Sequence, residues 1–186
     1  MKQQIKFLTL FCLFTIAFAC KKKEVVILPF CETCEFDCVD LLNDTPLTND
    51  CLDNYDCTFT VHENSKLDYS NNNFDPVKSG NKRVFKMFSD TEGSAMIADD
   101  EFTNILTFQV EANLESFEIG NDELEAVNLR FINLCFCSEV EFKKASLGCI
   151  QGQKIDDQFW QIQVNADFEY ATFTRTVAVD AVFEVL

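Results

Sequence analysis

From Trp160 to Glu169 the chain alternates without a break: Trp160, Ile162, Val164, Ala166 and Phe168 fall on one side, and Gln161, Gln163, Asn165, Asp167 and Glu169 on the other. A period of two is that of a β-strand with one buried face, whereas a helix would scatter these residues around its circumference. A second run follows, with Val177, Val179, Ala181, Phe183 and Val185 opposite Thr174, Thr176, Asp180 and Glu184. The two predict an antiparallel hairpin turning around Tyr170 to Thr172.

The same texture recurs upstream. Leu106, Phe108 and Val110 alternate with Thr107, Gln109 and Glu111, while Thr58 to His62, Arg83 to Phe88 and the pair Phe117 and Ile119 read as further strands. Val127 to Cys137 reads as a long strand whose apolar side changes register, from Val127, Leu129 and Phe131 to Ile132, Leu134 and Phe136, which a bulge or burial on both faces would explain. One short helix is expected, capped by Asn121 or Asp122 and running through Glu123, Leu124, Glu125 and Val127. About eight strands and little helix, in a chain with 20 phenylalanines, predict a mainly β fold. The expected form is a single antiparallel β-sandwich with an up-and-down barrel as the alternative; there is no internal repeat or second domain boundary.

The N-terminus points to export. Met1 to Lys6 carries two lysines and no acid, and Phe7 to Ala19 is a mostly apolar run too short at about 1.5 Å per residue to span a bilayer core of about 30 Å. It ends in Ala17-Phe18-Ala19, then Cys20 and the basic run Lys21-Lys22-Lys23. This arrangement resembles a bacterial lipoprotein signal, in which the cysteine after the cut becomes the acylated first residue. It departs from the usual pattern at Ala17, where leucine is common, and at Phe18, where a smaller residue is. Residues 1–19 are then the signal peptide, 20–30 a lipidated tether, 31–57 a cysteine-rich lobe and 58–186 the β domain.

Cysteine parity agrees. With Cys12 lost in the leader and Cys20 acylated, the ten cysteines reduce to Cys31, Cys34, Cys38, Cys51, Cys57, Cys135, Cys137 and Cys149, an even set able to close as disulfides in an oxidising compartment. Zinc would call for paired C-x-x-C knuckles, but only Cys31 and Cys34 have that spacing, and no βαβ pattern surrounds them to suggest a thioredoxin-like redox pair. Cys135 and Cys137 share a strand face at a separation near the limit for bridging, so each is expected to find a different partner. Cys149 is the natural mate of one, and the other would tie the sheet to the N-terminal lobe.

With 31 acidic against 15 basic residues the formal charge is −16, and removal of the leader would take away two more lysines. Nucleic acid is excluded as a partner, because phosphate backbones demand a cationic face. Asn49, Asp50, Asp53, Asn54 and Asp56 crowd together as calcium ligands do, but without the EF-hand alternation or its central glycine, and they read as a polar turn between cysteines. His62 is the lone histidine, and no G-x-S-x-G, H-E-x-x-H or phosphate-binding loop is present. Carboxylate chemistry remains conceivable at Asp99-Asp100-Glu101 and Asp156-Asp157, residues that more often make turns before strands. Trp160, on the face of Ile162 and Val164, reads as core rather than as a sugar platform.

In its signal, in Cys20 and in general texture the chain resembles the small uncharacterised lipoproteins of Bacteroidetes envelopes. That resemblance implies a location, the outer membrane or cell surface, with the membrane reached through the N-terminal lipid. The expected role is a non-catalytic binding module, without cofactor or metal, for an envelope protein, peptide or glycan. The alternatives are a structural or assembly lipoprotein and a small carboxylate-dependent hydrolase.

Overall fold

In a computed structural model, described over residues 46–51, 55–70, 74–91, 102–134 and 140–186, the alternating segments become the staves of a barrel. The strands are β1 (Tyr55–Leu67), β2 (Val77–Ser79), β3 (Lys82–Thr91), β4 (Thr103–Glu111), β5 (Ser116–Ile119), β6 (Arg130–Leu134), β7 (Lys143–Lys154), β8 (Phe159–Glu169) and β9 (Thr174–Val185). All nine belong to one sheet, and β1, β3, β4, β6, β7, β8 and β9 close into a 7-strand barrel. Neighbours in this series are antiparallel, so with an odd number the last strand must run the same way as the first. Accordingly β9 meets β1 in parallel register, Thr60 against Glu184 and Val61 against Val185.

The mainly β reading therefore holds in its barrel form, and the two-sheet sandwich is corrected. Both arrangements bury one face of each strand and leave the same alternation in the sequence. The β1–β9 pairing decides between them, by joining residues from opposite ends of the domain. Closure also uses chain upstream of Thr58: β1 begins at Tyr55, and Leu47 runs beside Val179, its N–H on Ala178 and its carbonyl accepting from Asp180, both at 2.9 Å.

The β8–β9 hairpin forms as expected, from Phe159 opposite Glu184 to Glu169 opposite Thr174. Its inward side chains, Phe183 among them, join Phe59, Phe85, Phe108 and Phe131 in one core. The register change after Phe131 is two-sided burial, since Phe131 faces the core while adjacent Ile132 is buried on the outer face. The expected helix is reduced to a 3₁₀ turn at Asn121–Glu123. Its cap does not serve it: the Asn121 carboxamide oxygen accepts instead from the Gly148 N–H at 2.6 Å, and Asn128 takes a positive φ of 53° that ends the turn.

Candidate functional site

The barrel interior is filled by side chains. Phe85 stacks on Phe108 with centroids 4.7 Å apart and meets Trp160 and Phe183 edge-on. Arg83 closes the space beside Trp160, its guanidinium carbon 4.4 Å from the ring centroid. Its three nitrogens all donate: Nε to Glu63 at 2.6 Å, Nη1 to the Leu114 carbonyl at 2.7 Å and Nη2 to the Ala112 carbonyl at 2.9 Å. A buried cation so completely paired is a structural plug.

Outside the barrel the loop after β1 folds back over β4 and β6. Gln109 anchors its start by accepting the Leu67 N–H through Oε1 at 2.8 Å, and Asp68 bonds Pro76 through its N–H at 2.9 Å. Tyr69 is thereby laid on the sheet, its hydroxyl 2.8 Å from the Thr107 hydroxyl. Burial pushes the phenol up to about 12, against smaller lowering effects from Thr107 and the Arg130 charge, so it remains a neutral phenol. Phe142 packs on it from the approach to β7 at 4.9 Å between centroids.

Between these elements lies a cleft of about 520 Å³, floored by Ile132 and Arg130 and walled by Tyr69, Phe74, Val140, Glu141 and Phe142. Phe74 and Val140 stand at its edge about half exposed, at 49% and 42%. Arg130 lies with its guanidinium carbon 4.2 Å from the Tyr69 centroid. Among the described residues it makes no hydrogen bond or ion pair, and its Nε is shut off from solvent without an acceptor. The one carboxylate among the described lining residues, Glu141, is held by Lys143 at 2.5 Å. Arg130's partners across the ladder offer no negative charge either, being Thr107 on β4 and Lys144 on β7.

A second hollow of about 400 Å³ lies between β4 and β5, among Gln109, Phe117, Glu118 and Val127. Its cation, Lys82, is ion-paired with Glu111. The Arg130 cleft is thus the one of the two whose cation is uncommitted.

Several expected residues take structural places. Cys51 and Cys57 form a disulfide, with Cα atoms 5.9 Å apart, and Cys149 is also disulfide-bonded. Cys20, Cys31, Cys34, Cys38, Cys135 and Cys137 lie outside the described residues, as do Asp53, Asn54, Asp99, Asp100 and Glu101. The Asn49 carboxamide is committed on both sides to Val182, donating to its carbonyl at 2.7 Å and accepting its N–H at 2.6 Å. Asp50 and Asp56 are described, and among the described residues no three His, Cys, Asp or Glu side chains gather as a metal site.

Asp156 closes the β7–β8 turn by accepting the Gln158 and Phe159 N–H groups at 2.8 and 3.0 Å, and Asp157 pairs with Lys154 at 2.7 Å. His62 is half-buried beside the Thr60 hydroxyl at 3.2 Å, with its basicity lowered by burial and then by Lys86, while Asp75 opposes. Trp160 is fully buried in the core, as its alternation implies. The sequence reading did not single out Tyr69, Phe74, Arg130 or Phe142. The available signal was Arg130 itself, a cation inside a strand otherwise rich in apolar residues. Compared with known protein families, curated proteins and solved structures, the chain matches none.

Proposed function

We propose that this is a non-catalytic binding module that works through the external cleft around Arg130, carried at the cell envelope on a lipid attached to Cys20. The observation that supports this most directly is the contrast between inside and outside. The interior cation Arg83 is matched on all three nitrogens and enclosed, whereas an aromatic-walled hollow on the outer face keeps the Arg130 guanidinium unmatched. Ligand sites are commonly concave, mostly apolar and equipped with a few placed polar groups, and this cleft lies within the usual range of about 300–1,000 Å³. Loops on a rigid scaffold are a common place for such work, since they vary without disturbing the core.

The test is an amide NMR screen of the chain against small neutral, cationic and anionic compounds. Perturbations that saturate and cluster on Tyr69, Arg130 and Phe142 support the proposal. Perturbations confined to other faces, or none across the set, overturn it. Conversion of a compound into product, lost on substituting one carboxylate, favours the hydrolase instead. The anchor has its own test: the mature chain should partition into detergent and lose that behaviour in Cys20→Ala, and a wild-type chain that stays in the aqueous phase refutes it.

A further inference from the structure

We infer that the Arg130 cleft recognises a carboxylate carried on an apolar or aromatic body about the size of one or two amino-acid residues. This rests on the cleft being the binding site and adds what it binds.

The charge argument starts from the ladder. Like charges directly opposite on neighbouring strands are unfavourable, yet Arg130 faces Lys144 across β6–β7 and Thr107 across β4–β6. In a chain with 31 acidic residues a carboxylate at either position would be the expected remedy, and neither has one. Nearby acids are held by other cations: Glu125 by Lys144 at 2.6 Å and Glu141 by Lys143. Tyr69 cannot neutralise the guanidinium, since its phenol keeps its proton, and offers only a ring face to stack on. The planar donor fork is therefore held from one side and left unpaired, as bidentate carboxylate binding requires.

The lining sets the remainder of the ligand. Phe74, Val140, Phe142 and Ile132 present carbon around the cation, so the group behind the anion gains by being apolar. A single guanidinium beside Glu141 balances one negative charge and leaves a phosphate dianion half-compensated within a strongly acidic body. The chemistry therefore favours a monoanion, whether a free acid or the C-terminal carboxylate of an apolar-ended peptide.

The probes are N-acetyl-phenylalanine, its primary amide, the peptide acetyl-Ala-Phe as free acid, and phenyl phosphate. Each is titrated into the full chain while the amide signals of Tyr69, Arg130 and Phe142 are followed. The acid should bind at the cleft at least about tenfold more tightly than the amide, the factor of one ordinary charge-assisted hydrogen bond, and weaken with added salt. Tighter binding of the peptide acid points to a chain terminus, and equal binding to any apolar acid. Arg130→Lys should weaken acid binding and Arg130→Met remove the preference over the amide, with thermal unfolding confirming that both fold. Val140→Asp, at the exposed rim, should weaken the acid by like-charge repulsion without touching the core.

Equal affinity for acid and amide, an unchanged preference in Arg130→Met, or tighter binding of phenyl phosphate overturns the carboxylate assignment while leaving the cleft as a binding site. Acid binding on another face, or no saturable binding of the acid at millimolar concentration, also overturns it. The fate of the cleft itself is then decided separately by the broader compound set.

Discussion

The smallest informative change is one methyl group at Gly152. This glycine lies opposite Phe117 in the β5–β7 ladder, and the aromatic ring covers the space where a side chain would stand. A Cβ built there would come within 2.5 Å of Phe117 Cζ and both Cε atoms. A ring at the end of a free side chain could swing away cheaply. This one is hemmed in, with Phe85, Phe108 and Trp160 centroids at 5.7, 6.0 and 6.0 Å. Overpacking of that kind costs about 1–3 kcal/mol. Replacing glycine in a strand returns about 0.5–1 kcal/mol of backbone entropy. Repulsion wins, and Gly152→Ala should be less stable by about 1–2 kcal/mol. Urea unfolding followed by the fluorescence of Trp160, the single tryptophan and fully buried, measures this directly. In a double-mutant cycle with Phe117→Ala the two changes should be less than additive by about 1 kcal/mol, because the alanine methyl meets empty space once the ring is gone. Stability of Gly152→Ala at or above wild type, or strict additivity in the cycle, would refute the steric argument.

The two arginines should respond unequally to loss of charge: Arg83→Met leaves Glu63 and two carbonyls without their donor and should cost about 2–4 kcal/mol in the same urea assay, whereas Arg130→Met forfeits only its stacking on Tyr69, about 0.5–1 kcal/mol. Tyr69 should make the fold alkali-sensitive. Its folded value of about 12 exceeds the ordinary 10.0 of a free phenol, so the unfolded chain releases this proton first, and the stability it contributes is complete below pH 10.0 and lost as pH rises toward 12; chemical unfolding across that window should show a decline that Tyr69→Phe removes. Asp156→Ala, which strips two backbone N–H groups of their acceptor, should cost roughly 1 kcal/mol, while Asp157→Ala should leave the melting temperature unchanged, since that carboxylate sits in open solvent beside Lys154.

What the sequence discloses follows from which faces the barrel buries. β8 and β9 were legible because every second residue points into the core while the neighbours carry polar groups. β7 left no such trace, although it is among the longest strands. Its sequence, KKASLGCIQGQK, places Ala145, Ile150 and Gly152 on the inner face, only Ile150 of them large, with Phe117 lying over Gly152. Periodicity records what a segment contributes, and β7 contributes one large core side chain, Ile150, between small ones. The helix expected at Asn121 failed for a related reason, its cap being taken by Gly148 from a strand distant in the chain. The cleft was hidden more deeply, since Tyr69, Arg130 and Phe142 come from three separate segments and only the fold brings them together.

Arg83 and Arg130 look alike in the sequence, each a cation beside apolar strand residues, and their separate fates were written elsewhere in the chain. For Arg83 the irregular pairing between His62 and Ser65 accompanies the contact with Glu63, and the turn after β4 aims two carbonyls at the remaining nitrogens. For Arg130 the corresponding partners are committed to one another, Thr107 to Tyr69, Lys144 to Glu125 and Lys143 to Glu141. Local interactions in a folded protein tend to agree with the global fold, and places where they conflict without local compensation are where function is concentrated. Here the conflict consists of an unmatched guanidinium, a like charge across the ladder and half-exposed apolar groups at the rim. A carboxylate on an apolar body answers the first and the last at once: it supplies acceptors for the guanidinium and covers Phe74 and Val140. Among the described residues the acids beside Arg130, Glu125 and Glu141, each already hold a lysine whose release would create a new unpaired charge.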